Sequence, residues 1–170
     1  MNQKIMFFVQ ARTGSKRLPN KVLREFHEGK SLLKSLLLRI RHQTPNQIAV
    51  LTTDSQADDE IENVANLAGA FCIRGSEPNV LSRFVHGIET FRPDLVVRVT
   101  ADNPFFDPSL VGAIALVMDR LKADYASTKL GKGFAVGSDL EIFIADSFLR
   151  KSKKTDLTAH HKEHVTSVFY

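Results

Sequence analysis

The sequence predicts an α/β protein of three layers (α/β/α), in which helices cover both faces of a mostly parallel central sheet. Short apolar runs of strand length alternate along the chain with stretches whose apolar residues repeat at helical spacing. The first run, residues 5–10, is apolar almost throughout, as expected for a strand that is buried on both faces. Polar residues follow directly after several strands, which is where parallel sheets bind ligands.

The first half of the chain alternates three strands with two helices. The strands are predicted at residues 5–10, 48–51 and 70–73. Ser31 is a suitable cap for the first helix, which carries four leucines and Ile40 on one face. The second helix covers residues 56–68, with acids in its first turn and Gly69 as its stop.

The second half continues the alternation towards the end of the chain. Strands are predicted at residues 95–99, around Tyr125 and at 140–144, and helices around residues 81–88, after Asp107, at 145–153 and at 159–169. Asp107 and Pro108 are a cap and a first helical position for the helix that follows them. The apolar residues of that helix are Leu110, Val111, Ile114, Val117, Met118 and Leu121.

Composition excludes several classes of protein. The 170 residues suit a single domain, 1–170, and contain one cysteine, which cannot form an internal disulfide. Mean hydropathy is −0.13, and no apolar run approaches the ~20 residues that a membrane-spanning helix needs. We therefore exclude secreted, membrane, disordered and disulfide-rich classes, and expect a reducing compartment, the cytoplasm.

A basic loop follows the first strand. Its cations, with no acid among them, are Arg12, Lys16, Arg17, Lys21 and Arg24. Gly14 lets backbone N–H groups approach an anion, and arginine donors match phosphate oxygens. The alternative is an ordinary solvated loop. The cluster is too short for a nucleic-acid face, lacks interleaved aromatic residues and has neither the Walker A nor the dinucleotide glycine spacing.

Three carboxylates lie at or next to the ends of predicted strands, where a ligand could reach them. Asp102 follows the strand at 95–99 in an Asp-Asn-Pro sequence, which is also ordinary turn chemistry. Asp139 and Glu141 are two apart on a predicted strand and would share a face, although a strand-edge charge and a lysine partner are the alternatives. Arg98 lies inside an apolar strand and is expected to form a structural ion pair.

Two further features are interpreted as structural. His160 and His164 share a helix face with His161 beside them, but no third zinc ligand is evident, so a solvated helix face or a contact of His164 with a sugar acid is favoured. Cys72 lies in an apolar strand and is interpreted as inert core.

The motifs, in order, resemble those of sugar nucleotidyltransferases that make CMP-linked sugar acids, and of the spore-coat polysaccharide biosynthesis protein F-like cytidylyltransferases in particular. The most specific is ARTGSKRLPNKVL at residues 11–23. The others are TTD at 52–54, RGSE at 74–77 with VLSR at 80–83, RVTADNP at 98–104, GSDLE at 137–141 and EHVT at 163–166. The resemblance spans nearly the whole chain.

The resemblance implies a Rossmann-like nucleotide-diphospho-sugar transferase fold and transfer of CMP from CTP to a sugar acid, such as a 2-keto sugar acid, with release of pyrophosphate. It implies catalytic roles for Arg12, Arg17 and Lys21. The residues implied to bind nucleotide are Ala11, Arg12, Gly14, Ser15, Lys21, Ser82 and Arg83. Asp102 would hold Mg²⁺, and Asp139 and Glu141 would be further metal or sugar ligands.

The resemblance also bears on partners and on the extent of the domain. It implies CTP and a sugar-acid acceptor, allows a homodimer, and gives no role to nucleic acid or a membrane. Members of this family are usually longer, so we expect the chain to lack their C-terminal part. Two alternatives stay open: a nucleotidyltransferase that uses a sugar phosphate or another nucleotide, and a non-catalytic nucleotide-binding remnant.

Overall fold

A computed structural model of the chain describes residues 3–15, 17–129 and 133–170; Lys16, counted above among the cations of the basic loop, lies outside the described residues. The strands are β1 Ile5–Gln10, β2 Glu25–His27, β3 Lys30–Ser31, β4 Gln47–Thr53, β5 Phe71–Gly75, β6 Leu95–Thr100, β7 Tyr125–Ser127 and β8 Glu141–Ile144. The α-helices are α1 Leu32–Gln43, α2 Asp59–Leu67, α3 Val80–Phe91, α4 Leu110–Leu121, α5 Ala145–Ser152 and α6 Ala159–Glu163. Short 3-10 helices lie at Lys21–Leu23, Gln56–Asp58 and Val165–Phe169.

The central sheet has six strands in the order β5-β4-β1-β6-β8-β7. β1 pairs in parallel with β4 and β6, and β4 pairs in parallel with β5. β8 runs antiparallel to both β6 and β7. Because the chain steps outward from β1 to β5 and then returns to β6 on the other side of β1, the strand order reverses between β1 and β6. Ligands of open α/β sheets bind at such a reversal.

The three predicted layers are confirmed by two separate cores. Phe7 and Val9 of β1 face a core built with α1, α2 and α4. Met6 and Phe8 of the same strand face a second core built with α3, α5 and the C-terminal 3-10 helix. Successive side chains of a strand point to opposite faces, so a strand apolar at every position supplies both cores.

The boundaries of α1 follow the sequence, whereas two other helices differ from the prediction. Ser31 caps α1 through its hydroxyl, which accepts a hydrogen bond from the Lys34 amide at 3.2 Å. α4 begins at Leu110, so Asp107 and Pro108 form the preceding turn and not the predicted cap and first helical position. The predicted helix 159–169 is interrupted at His164, whose φ of −99° and ψ of 73° are not helical.

Only part of the apolar surface of α4 is buried. Val111 and Met118 are buried, whereas Val117 and Leu121 are 53% and 73% exposed. α4 contacts β7 and β8, the antiparallel edge of the sheet. The hairpin β2–β3 was not predicted, because its strands are short and carry no alternating apolar pattern.

No helix within the described residues is long and apolar enough to span a membrane.

Candidate active site

The loop at residues 11–20, called the basic loop below, leaves the carboxyl end of β1 at the reversal of strand order. Sheet pairing continues one residue beyond β1, since the amide of Ala11 donates to the carbonyl of Leu51 at 3.1 Å. The loop then closes on Thr13, whose carbonyl accepts from the amides of Ser15 at 2.7 Å and Asn20 at 3.2 Å. The residues of the loop that are exposed to solvent include Arg12, Gly14 and Arg17.

Lys21 and Asp102 meet across the reversal. The Lys21 ammonium lies 2.6 Å from Asp102 Oδ2, which joins the end of the basic loop to the residues that follow β6. Asn20, at φ 55°, is in the left-handed region and turns the chain into the 3-10 helix that begins at Lys21. The basic loop and the predicted metal ligand therefore lie at the same edge of the sheet.

Asp102 is held in its charged form. Burial alone would raise its pKa, but hydrogen bonds from Lys21 and Thr100, together with the charge of Lys21, outweigh burial and lower the pKa below its ordinary value. Its side chain is 40% exposed, so solvent and ligands can reach the carboxylate.

A polar cleft lies beside this pair. Its volume is about 60 Å³, and it is lined by Arg98, Thr100, Asn103, Lys129, Asp139 and Glu141. Thr100 lines the cleft and also helps to lower the pKa of Asp102, so the cleft lies next to the Lys21–Asp102 pair. Asn103 is fixed at the other side, where its amide donates to the backbone carbonyl of Asp139 at 3.4 Å.

Glu141 is the centre of a buried hydrogen-bond network. Its Oε2 accepts from Arg98, and its Oε1 accepts from Tyr125 at 2.7 Å and Thr166 at 2.6 Å. Burial would raise the pKa of Glu141, but the Arg98 charge and these donors lower it. The expected structural ion pair of Arg98 is confirmed, with Glu141 as its partner. Oε1 of Glu141 already accepts twice, whereas Oε2 accepts only from Arg98 and keeps one lone pair for a further ligand.

Asp139 lies just before β8 and not on it, because β8 begins at Glu141. The prediction that the two acids are alternate residues of one strand is therefore wrong, although both line the cleft. The short pairing of β8 with β6 explains the difference, since it starts at the pair of Arg98 with Glu141.

The residues beside the basic loop can supply the few protein ligands that magnesium needs. Among residues 3–15, 17–129 and 133–170, no three Asp, Glu, His or Cys side chains form a metal-binding group. Magnesium usually takes only one or two carboxylates and completes its shell with substrate phosphates and water. Asp102 fits this need, because it is ionised, accessible and next to the basic loop.

Arg83 and Ser82 lie on α3, behind the basic loop. Arg83 is only 1% exposed, and its Nη1 makes a long contact of 3.4 Å to the carbonyl of Leu51. Its Nε and Nη2 have no hydrogen-bond partner among the described residues. Burial, followed by the nearby charge of Arg12, lowers the pKa of Arg83. The Ser82 hydroxyl donates to the carbonyl of Asn79 at the start of the helix.

Asp58 is a buried acid that the sequence interpretation missed. It is 1% exposed, and its carboxylate accepts hydrogen bonds from Thr13 of the basic loop and from Thr52 and Thr53 at the end of β4. Sequence indicated only an acid in the first turn of a helix. The paired threonines after an apolar strand were the one available signal.

The structure agrees with the core interpretation of Cys72. The thiol packs against the larger core, and burial, followed by the charge of Glu62, raises its pKa to about 11. It is therefore protonated and unreactive at neutral pH. The rings of His160 and His164 lie 4.5 Å apart, while His161 Nδ1 accepts from the Thr158 amide at the start of α6.

Comparison with known proteins confirms the class of protein that the resemblance implied. A sequence model of the family described as cytidylyltransferase matches residues 6–170. The chain is 35% identical over 167 residues to the spore coat polysaccharide biosynthesis protein SpsF of Bacillus subtilis, covering 95% of this chain and 68% of that protein. It therefore belongs to the cytidylyltransferase family, whose members are nucleotidyltransferases that use CTP.

Two other proteins extend the comparison. The chain is 30% identical over 112 residues to a 3-deoxy-manno-octulosonate cytidylyltransferase of Ruthia magnifica, covering 63% of this chain and 44% of that protein. A solved cytidylyltransferase structure from Leptospira borgpetersenii superposes with a TM-score of 0.88 at 26% identity, covering 97% of this chain and 70% of that one. The fold implied by the resemblance is confirmed.

Proposed function

We propose that the protein transfers CMP from CTP to a sugar acid, a 2-keto sugar acid or a similar compound, and releases pyrophosphate. The product would serve the biosynthesis of a surface polysaccharide or glycan. Family membership supports the use of CTP. The names of two relatives, one a spore coat polysaccharide protein and the other a cytidylyltransferase of a sugar acid, support the acceptor class and the pathway.

The observation that carries the proposal is the contact between Lys21 and Asp102 at 2.6 Å, at the carboxyl ends of neighbouring parallel strands. A cation that neutralises phosphate and a carboxylate that holds a metal ion are both needed at the α-phosphorus. In the free protein each neutralises the other. When the triphosphate binds, the Lys21 ammonium leaves Asp102 and contacts phosphate oxygens instead. The Asp102 carboxylate is then available to Mg²⁺.

The basic loop holds the triphosphate in this proposal. Gly14 allows close approach of the backbone, while the side chains of Arg12 and Arg17 contribute charge. The amides of Ala11 and Ser15 already donate to Leu51 and Thr13, so these two residues stay predictions. Ser82 and Arg83 stay predictions for the nucleotide pocket. Arg83, which is buried, would act from behind the loop.

The acceptor occupies the polar cleft. Arg98 already pairs with Glu141, so Lys129 is the cation that remains for a sugar carboxylate among the described residues lining the cleft. Asn103, Asp139 and Thr100 offer hydrogen-bond donors and acceptors for sugar hydroxyls. In this arrangement Asp139 is a sugar ligand, and Glu141 holds Arg98 in place.

The chemistry requires little covalent work from the protein. A hydroxyl oxygen of the acceptor attacks the α-phosphorus of CTP, the bond from that phosphorus to the pyrophosphate oxygen breaks, and the hydroxyl proton passes to solvent. Lys21 and the arginines stabilise the charge that develops on the departing pyrophosphate. Magnesium, when bound through Asp102, neutralises charge on the phosphate oxygens.

Pyrophosphate release tests the proposal. We expect release with CTP, Mg²⁺ and a sugar acid, and much less with GTP, UTP or ATP or with a sugar phosphate as acceptor. Omission of Mg²⁺ should stop the reaction. Preference for another nucleotide or for a sugar phosphate would contradict the proposed substrates, and CTP binding without release on any acceptor would indicate a non-catalytic nucleotide-binding protein.

The remaining expectations stay proposals. We propose a cytoplasmic location, since Cys72 is a free cysteine and the single cysteine of the chain. The single-domain extent of residues 1–170 and a homodimer stay predictions.

A further inference from the structure

The carboxylate of Asp58 joins two parts of the chain that the sheet alone does not connect. Its Oδ1 accepts from the amide of Thr13 at 2.8 Å and from the Thr13 hydroxyl at 2.5 Å. Its Oδ2 accepts from the Thr52 hydroxyl at 3.0 Å, the Thr53 amide at 3.2 Å and the Thr53 hydroxyl at 2.5 Å. Both oxygens of a nearly fully buried acid are thereby satisfied without an ion pair among the described residues.

Thr13, which Asp58 holds, is the residue on which the basic loop closes. Its carbonyl accepts from the amides of Ser15 and Asn20, on the two limbs of the loop. Asn20 precedes Lys21, and Lys21 contacts Asp102. Hydrogen bonds from Thr13 to the buried carboxylate and from Asn20 to Thr13 therefore fix the residue that precedes the cation beside the proposed reaction centre.

A negative charge behind an anion-binding loop opposes the binding of a triphosphate by simple Coulomb repulsion. The carboxylate of Asp58 must therefore do something that a neutral side chain cannot do. Each oxygen of Asp58 faces one backbone amide, that of Thr13 on one side and that of Thr53 on the other. An asparagine has one oxygen and one NH₂ group, so in either orientation NH₂ opposes a backbone N–H, which cannot reverse its role as a hydroxyl can.

We propose that Asp58 is a positioning residue, which anchors Thr13 to the end of β4 and so holds the basic loop in the shape that binds the triphosphate. The identity of the ligand, a triphosphate, rests on the proposed function. The anchoring of Thr13 by Asp58 does not depend on it. Hydrogen bonds alone hold the charge, since Thr13, Thr53 and Thr52 lower the pKa of Asp58 although burial would raise it.

Amide hydrogen exchange of the free protein tests the anchor without any ligand. In Asp58→Asn we expect faster exchange at Thr13, Ser15 and Asn20, while the core amides of β1 keep their protection. Asp59→Asn is the matched control, because Asp59 is the next residue and an exposed partner of Arg74, which also pairs with Glu62. An unchanged exchange pattern in the loop of Asp58→Asn would overturn the inference.

Calorimetry then tests the consequence for binding, with CTP and inorganic tripolyphosphate as the probes. Loss of a hydrogen bond to a charged group corresponds to an affinity change on the order of 10- to 100-fold, and we expect both probes to bind Asp58→Asn more weakly by such a factor. Should that variant fold poorly, Thr13→Val removes one of the five hydrogen bonds, and Thr13→Ser keeps all of them. We expect weakened binding in the first and near-normal binding in the second.

The outcomes separate the two proposals. A loosened loop with unchanged affinity for both probes would show that Asp58 has a structural role only, and would overturn its positioning role. Failure of the unmodified protein to bind CTP would contradict the proposed function, whereas the exchange measurement would still decide whether Asp58 anchors the loop.

Discussion

At the scale of single residues, the site contains two carboxylates in opposite situations. Glu141 is buried, and both of its oxygens are occupied by Arg98, Tyr125 and Thr166, so its charge stabilises the end of the sheet. Asp102 is partly exposed and pairs with Lys21. In the proposed function this accessibility lets Asp102 bind a ligand, whereas Glu141 holds the structure.

Lys21→Ala and Asp102→Ala test the site at this scale. Each removes one member of the pair beside the proposed α-phosphorus, and we expect kcat to fall by ~10²–10³-fold, the usual cost of losing one well-placed charged group. Pyrophosphate release measures kcat, and circular dichroism checks that the fold persists. Lys154→Ala removes an exposed lysine elsewhere and should be nearly neutral. Near-normal turnover in either site variant would contradict the assignment.

At the scale of elements, α3 packs against the central strand through a position that has no room for a side chain. A Cβ at Gly87 would lie 2.9 Å from Phe8 Cε2 and 3.0 Å from its Cζ. Phe8 is fully buried and contacts the rings of Phe84 and Phe91, so it cannot move aside. The close approach of α3 to β1 therefore requires glycine at position 87, although glycine is a poor helix former.

Two glycine substitutions separate packing from helix propensity. Gly87→Ala should lower the free energy of unfolding by about 1 kcal/mol or more, because overpacking outweighs the gain in propensity. Gly112→Ala, on the exposed side of α4 where nothing lies within 4 Å of the new Cβ, should raise it by about 0.4–1 kcal/mol. Urea unfolding measures both. Equal effects of the same sign would contradict the packing of α3 on Phe8.

At the scale of the whole molecule, buried acids tie distant parts of the chain together. Asp58 joins the basic loop to β4, and Glu141 joins β8 to β6, β7 and the C-terminal 3-10 helix. Their pKa values, like that of Asp102, lie below the ordinary values of carboxyl groups. The folded state therefore binds fewer protons than the unfolded chain in acid, and its stability depends on these groups staying ionised.

Stability should consequently fall in acid. A lowered pKa contributes stability that is present above the unfolded pKa of about 4 and is lost as the pH falls through the folded value. We expect the free energy of unfolding, measured with urea at successive pH values, to decline below about pH 4. Glu141→Gln should be less stable at neutral pH and decline less steeply in acid. An acid limb of unchanged slope in this variant would contradict the prediction; Asp119→Asn, which removes an exposed carboxylate, is the control.

The sequence by itself determined the alternation of strands and helices, the basic loop at the end of the first strand, the ion pair of Arg98 and the cytidylyltransferase family, because apolar periodicity and contiguous motifs are local properties of the chain. Only the tertiary structure decided the direction of β8, the exposure of Val117 and Leu121, and the partners of Glu141 and Asp58. Asp58 lies 45 residues from Thr13, and Glu141 lies 43 residues from Arg98. Contacts of that separation depend on strand order and register, which the spacing of residues along the chain does not specify.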